Sequence, residues 1–314
     1  MNKRVLLSIV TPTRGNFSDY WLEQLLKIQG DIEFVLVYPP GVVTKSISDY
    51  RLKTIVSPYK GEVCQRFMGL LNASGEYVIA LDDDDFIHPK VANLVTDYFQ
   101  LFPESWVLRL RQARIDYRDQ ERLQQDWAEI PNINELKAVS RRQKEDKKKI
   151  LLKLPIAPLT NKFDLRYLFT PYLQRKDMHG AHIENFNLKV WRNDLLQQTL
   201  SELGLAMHLL GEFNWIPFWS LDRLLGLFIQ AKFFQENAII GHWMPGPEQT
   251  RYVVQPQSIK REFRLIFLAD ALLAKHFPKY GYFWNLFGEQ FWIALRKIAS
   301  SLISLIGNRR AKAS

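Results

Sequence analysis

The chain of 314 residues is 47% hydrophobic and 24% charged, a balance with room for a substantial core, which excludes a disordered, collagen-like or prion-like protein. A net charge of +9 favours anionic partners such as nucleotide phosphates or anionic lipid, and with no recognised nucleic-acid motif beside it, no nucleic-acid partner is expected. The lone cysteine, Cys64, excludes an internal disulfide, and no run of about 18 uncharged apolar residues offers a membrane-spanning helix.

In chain order, residues 5–13 form a continuous β-branched run that ends in a turn, which predicts a buried strand. The same run is too short for a secretory core, and Thr11-Pro12 stops it, so a cytoplasmic location is expected. Residues 19–29 carry Tyr20, Leu22, Leu25 and Leu26 at helical spacing. Residues 33–38 predict a second strand closed by Pro39-Pro40-Gly41, and residues 52–56 a third. A helix is expected over 63–71, a buried strand over 77–81, a helix over 89–102 and a further strand over 106–115. Alternation of this kind implies a mostly parallel, Rossmann-like α/β sheet with helices on both faces. Ligands of such sheets bind beyond the carboxyl ends of the strands, which puts Thr11–Gly15 and Asp82-Asp83-Asp84-Asp85 on one edge.

Residues 117–180 break the alternation and read as an insertion within a main domain of residues 1–260. Within them, residues 141–149 hold six basic and two acidic side chains, the pattern of a solvated face, a mobile lid or an anion-facing surface. Order returns over 186–203 and 215–234, and residues 261–314 read as a helical extension.

Four adjacent carboxylates repel one another. In an extended segment Asp82 and Asp84 would share one face and Asp83 and Asp85 the other. Two carboxylates converging at the end of a rigid strand suit a hard divalent cation whose open positions take substrate phosphates. The plainer alternative is an acidic loop in which Asp85 caps the following helix.

The segment Ser8-Ile9-Val10-Thr11-Pro12-Thr13-Arg14 resembles the opening strand of family 2 glycosyltransferases of the GT-A fold. Residues 69–89, with Ala73-Ser74-Gly75-Glu76-Tyr77 leading into the aspartates, resemble that family's donor and metal segment. The resemblance covers roughly residues 5–110 and implies a nucleotide-diphosphate sugar donor with Mg²⁺ or Mn²⁺. It implies Asp84 as the main metal ligand, Asp82 beside sugar or metal, and Asp83 in the donor site. It also implies a Thr11-Pro12-Thr13-Arg14 turn bordering the nucleotide, and Arg66 facing the donor. The acidic pair common after the family's second strand is replaced here by Val37-Tyr38-Pro39-Pro40-Gly41, so the base goes unassigned.

Inverting transfer needs a general base for the acceptor hydroxyl. The stretch 190–196 resembles the family's arginine-bearing helix, and Trp219-Ser220-Leu221-Asp222 falls where the base motif belongs. That assigns Asp222 as base, with Ser220 capping its helix; a first-turn aspartate favouring the helix dipole is the alternative. Asp177, His179, His182 and Glu184 lie close in sequence without a zinc spacing; they line the acceptor pocket, with Glu184 as the substitute base, or are structural. His242 stands where some GT-A enzymes supply a late histidine to the metal.

From Trp284 to Ile306, a stripe of Trp284, Phe287, Phe291, Leu295, Ile298, Leu302 and Ile306 precedes a basic end. Such a helix lies in a membrane interface, docks on its own domain or pairs with a copy. The expected activity is metal-dependent sugar transfer, with inversion, to a saccharide or lipid-linked acceptor, as in cell-envelope or glycolipid synthesis. A sugar-nucleotide-forming nucleotidyltransferase would need a glycine-rich first turn, and Thr11–Gly15 has one glycine. A catalytically silent nucleotide- or membrane-binding relative is the second alternative.

Overall fold

The computed structural model describes residues 5–140, 149–166, 175–178, 180–208, 221–254 and 267–311. Expectations for His179, Ser220, residues 215–219 and nearly all of the basic run at 141–149 fall outside them.

The expected α/β architecture is present. Strands β1 (Leu7–Pro12), β2 (Ile32–Tyr38), β3 (Leu52–Val56), β4 (Tyr77–Ala80), β6 (Val107–Arg109), β8 (Lys137–Val139), β9 (Ile150–Pro155), β10 (Lys189–Arg192) and β11 (Ile239–Trp243) form one sheet. Its order is β3-β2-β1-β4-β10-β6-β11-β9-β8, and five of its eight pairings are parallel. A small second sheet joins β5 (Phe86–Ile87), β12 (Thr250–Val254) and β7 (Gln112–Asp116).

Helices cover both faces. On one side α1 (Asp19–Leu26) and α3 (Val91–Leu101) pack Trp21, Leu25, Val95 and Tyr98 against Ile9, Phe34 and Ile79. The Ser18 hydroxyl starts α1 by accepting from the Trp21 amide at 3.0 Å. On the other side lie α2 (Glu62–Leu71), α5 (Asn193–His208) and α6 (Leu221–Lys232), with Leu70, Leu196, Leu224 and Phe228 in the core. A short α4 (Gln120–Gln124) precedes β8. Gly69 lets α2 sit close on β1, since a Cβ there would lie 2.4 Å from Val10 Cγ1. That approach carries Gln65 and Arg66 over the carboxyl edge.

Several boundaries differ from expectation. Residues 106–115 divide into β6 and β7, because the chain leaves the main sheet at Leu110–Arg111 to pair with β12. Residues 189–192 are a strand, not a helix: β10 runs antiparallel between β4 and β6 and closes the gap a parallel-only sheet would leave. Residues 117–180, expected as an insertion, supply β8 and β9 to the sheet edge.

The C-terminal extension is helical, with α7 (Phe267–His276) and α8 (Gly281–Ala311) packed together. Its most deeply docked residues lie off the stripe read from sequence. Tyr282, Phe283 and Leu286 are buried, whereas Trp284, Leu295 and Ile298 are each more than a third exposed. Burying Phe283 and Leu286 contributes roughly 1.5–3 kcal/mol each, enough to hold the start of α8 on the domain. No helix among the described residues is long and apolar enough to cross a membrane.

Candidate functional site

Strands β1 and β4 are parallel neighbours, with Val10 beside Ala80 and the Leu81 amide donating to Val10 O at 3.0 Å. The turn after β1 and the aspartates after β4 therefore emerge together. The aspartate run is a tight turn and not extended, closed by the Asp85 amide on Asp82 O at 3.1 Å. This overturns the expected alternation. Asp82, Asp84 and Asp85 converge, each with a carboxylate oxygen within 4.8 Å of the others, and Asp83 turns away.

Asp83 binds the first turn instead. Its Oδ2 accepts from Thr13 Oγ1 at 2.6 Å and the Arg14 amide at 3.4 Å, while the Arg14 side chain is exposed. The Gly15 amide returns to Thr13 Oγ1 at 2.9 Å, and Gln65 Nε2 reaches both Thr13 O and Val37 O at 2.7 Å. Thr11 and Pro12 are buried at the end of β1. Burial raises the Asp83 carboxyl above the usual range, opposed by the Thr13 hydrogen bond.

Asp85 is 1% exposed. Its Oδ1 accepts from the Val253 amide at 3.1 Å, Trp21 Nε1 donates to its carbonyl at 2.8 Å, and its Oδ2 is buried without a hydrogen-bond partner. Burial, with Asp82 and Asp84 adding to it, raises its carboxyl well above the usual range. An orphaned carboxylate oxygen beside two further carboxylates fits a hard divalent cation. The alternative in which Asp85 caps the following helix does not hold: the N-cap of α3 is Lys90, and no side chain caps it.

Arg66, 1% exposed, spans the other flank. Its Nη2 donates to Asp82 Oδ1 at 2.6 Å and Glu62 Oε1 at 3.2 Å, and its Nε and Nη1 are buried without hydrogen-bond partners. Burial works against its charge, but Asp82, Glu62 and Asp222 override burial and raise its pKa. Asp222 thus belongs to the same field. It lies in the first turn of α6, where its Oδ1 accepts from the Asn187 amide at 2.5 Å and its carbonyl from the Phe186 amide at 3.0 Å.

Sequence reasoning missed Lys189. It opens β10 beside Arg109 of β6, and Arg109 stands beside Trp243 of β11, so the three form a row across one face. The Arg109 guanidinium lies 4.0 Å from the Trp243 ring centroid. Lys189 Nζ donates to Asn187 O at 2.9 Å. Burial pushes its ammonium down to about 8, against the pull of Asp222 and with the help of Arg109. Neighbouring Leu188 has φ +56°, a conformation that β-pairing did not foretell.

Two candidates are corrected. His242, expected at the metal, points into the core: its Nδ1 meets Tyr98 Oη at 2.9 Å and its ring packs on Phe102 at 4.3 Å. Burial pushes it down to about 4, and it is not among the clustered carboxylates. On β11 successive side chains alternate, so Trp243 takes the site face and His242 the helix α3 face. Glu184, expected as a substitute base, is saturated. Its Oε1 accepts from Arg175 Nη2 at 2.8 Å and from Tyr282 Oη, and its Oε2 lies 3.5 Å from Arg223 Nη2. Burial would raise it, but Arg175 and Arg223 outweigh burial and hold it below the usual carboxylate range. His182 rests on Tyr282 Oη at 3.2 Å.

No family model and no curated protein matches the chain. Among solved structures it is similar to residues 1–349 of S. aureus TarS, at 16% identity and TM-score 0.45, over 79% of this chain and 60% of that one. The same TarS fragment in complex with UDP-GlcNAc gives 14% identity and TM-score 0.49, over 86% and 66%. The mannosyltransferase PcManGT from Pyrobaculum calidifontis, in complex with GDP-Man and Mn2+, gives 14% identity and TM-score 0.40, over 99% and 81%. The chain spans about three fifths of the first of these fragments.

Proposed function

We propose that the protein is a metal-dependent glycosyltransferase that takes a sugar from a nucleotide diphosphate and passes it, with inversion, to an acceptor hydroxyl. The observation that carries the reading is the convergence of Asp82, Asp84 and Asp85 beside the Thr13–Arg14 turn, backed by the buried Arg66. Neighbours captured with UDP-GlcNAc and with GDP-Man and Mn2+ agree with it in fold.

Asp84, Asp82 and Asp85 would hold Mg²⁺ or Mn²⁺. Such an ion would supply charge neutralisation for the departing diphosphate. The chain's own residues do the rest. Thr11, Pro12, Thr13 and Arg14 border the nucleotide, and Asp83 holds that turn in place. Arg66 keeps the Asp82 carboxylate oriented and adds a fixed positive charge at the phosphate end. Asp222 accepts the proton of the attacking hydroxyl, with one oxygen fixed by the Asn187 amide. The Lys189–Arg109–Trp243 row floors the acceptor side.

The same reading puts the enzyme at the cytoplasmic face of a membrane, making a cell-envelope polysaccharide or glycolipid from a saccharide or lipid-linked acceptor. Exposed Leu295 and Ile298 of α8 supply the peripheral contact. The test is a screen of nucleotide sugars for binding and turnover with Mn²⁺ or Mg²⁺, on wild type and D84A. Turnover that needs metal and is lost in D84A supports the reading; no binding of any nucleotide sugar, with or without metal, sinks it.

A further inference from the structure

We propose that Glu184 and Arg223 are a positioning pair through which the C-terminal extension sets the Asp222 carboxylate. The inference rests on the reading of Asp222 as acceptor base.

A buried charge cluster joins four parts of the chain. Arg175, 0% exposed, meets Asp177 at 3.3 Å, Glu184 at 2.8 Å and Glu289 of α8 at 3.0 Å. Arg223 of α6 meets Glu184 at 3.5 Å and Asp270 of α7 at 3.4 Å. Tyr282 of α8 donates to Glu184 and lies over Arg175, its ring centroid 5.0 Å from the guanidinium carbon. Asn285 of α8 donates to Asp177 at 3.1 Å. Two guanidinium groups thus stand among four carboxylates, and burial pushes Asp270 up to about 6.

Such a cluster is a poor source of stability, because desolvating each charge costs several kcal/mol and well-packed apolar residues often do as well. Its place in the fold gives it another use. Arg223 is the residue after Asp222, in the same helical turn. Glu184 lies just before Phe186 and Asn187, whose amides are held by Asp222. Segment 184–187 is therefore bonded to 222–223 at both ends: Glu184 grips Arg223, and Asp222 grips Asn187. Gly226 presses α6 onto this segment, since a Cβ there would lie 2.6 Å from Glu184 O. A shift of Glu184 cannot leave Asp222 where it is. Asp270 of α7 holds Arg223, Tyr282 of α8 holds Glu184, and Glu289 of α8 holds the Arg175 that pairs with Glu184, so the extension reaches the base through this cluster.

The test is a double-mutant cycle on the full chain, with Glu184→Gln and Asp222→Asn alone and together, in a transfer assay with Mn²⁺. Glu184→Gln is expected to lower kcat roughly 10- to 100-fold with donor KM unchanged, as a misplaced catalytic group does. In the Asp222→Asn background it should do nothing further, and Arg223→Lys should retain more activity than Arg223→Gln. Glu184→Gln with wild-type kcat, or a loss that multiplies with that of Asp222→Asn, overturns the proposal. Full activity in Asp222→Asn alone removes the base reading, and the proposal with it. Should Glu184→Gln not fold, Asp270→Asn gives the same cycle from the α7 side.

Discussion

The guanidinium of Arg66, almost wholly buried, donates to Asp82 Oδ1 at 2.6 Å. The partner carboxylate is 42% exposed, so the pair is a buried cation reaching out to a solvated anion. It couples α2 to the aspartate turn.

Truncation of that cation should therefore cost less than loss of half of a fully buried pair. Arg66→Ala is expected to destabilise the fold by about 1–3 kcal/mol and to weaken donor binding. Urea denaturation and nucleotide-sugar titration measure the two; an unchanged midpoint with unchanged affinity would refute the arrangement.

The three converging carboxylates should be unequal to the fourth. Asp84→Asn and Asp85→Asn are each expected to weaken Mn²⁺ binding about tenfold or more, since each removes a charged oxygen ligand. Asp83→Asn should leave Mn²⁺ affinity near wild type, because its carboxylate is turned to Thr13. Calorimetric titration decides it, and a Mn²⁺ loss in Asp83→Asn as large as in Asp84→Asn would contradict the turn geometry.

Lys189 titrates near pH 8 because burial disfavours its charge. Its folded value lies below its unfolded one, so the cation is the form that folding opposes; the cost builds as pH falls from the ordinary lysine range to about 8 and is full below that. Transfer that uses the ammonium should decline above about pH 8 in wild type, and Lys189→Arg should extend the plateau upward because arginine stays charged. Lys189→Met should lose transfer yet melt no lower than wild type at pH 7. A pH–rate limb at 8 that persists in Lys189→Arg assigns the titration elsewhere.

Asp270 moves the other way. Its folded value of about 6 lies above the usual aspartate value, so the protonated form is favoured. The associated stability is full below about pH 4 and is lost as pH rises through 6, on the order of 2–3 kcal/mol. Asp270→Asn should flatten that fall. Denaturation midpoints from pH 4 to 7.5 that decline equally in both proteins would refute it.

Among the described side chains of the α8 stripe, Leu295 and Ile298 are exposed together with Trp284. Leu295→Glu with Ile298→Glu is expected to abolish flotation with anionic liposomes while leaving the melting temperature unchanged. Flotation as strong as that of wild type would remove the membrane contact.

Much of the site's first half was legible before any coordinates. Buried strands announce themselves by β-branched runs, and strand-end turns by the residues that stop them, so the Thr11–Arg14 turn and the aspartates fell on one edge by local pattern alone. Which aspartate does what was not legible, because the run is a turn and the partners of Asp83 and Asp85 come from Thr13 and Val253. His242 and Trp243 show the same limit: pattern finds the strand, and only its neighbours say which face is the site.

Periodicity and composition within a dozen residues or so suffice for the alternating α/β layers, the carboxylate-rich edge and a helical C-terminus. The remaining features depend on contacts between distant segments. The reversed strand β10 with Lys189, the contacts of the aspartate turn with Thr13 and Val253, and the cluster of Arg175, Glu184, Arg223 and Asp270 all join segments far apart in the chain. Buried charges and orphaned oxygens have no periodicity; they are placed by the packing that encloses them, and their chemistry becomes readable only there.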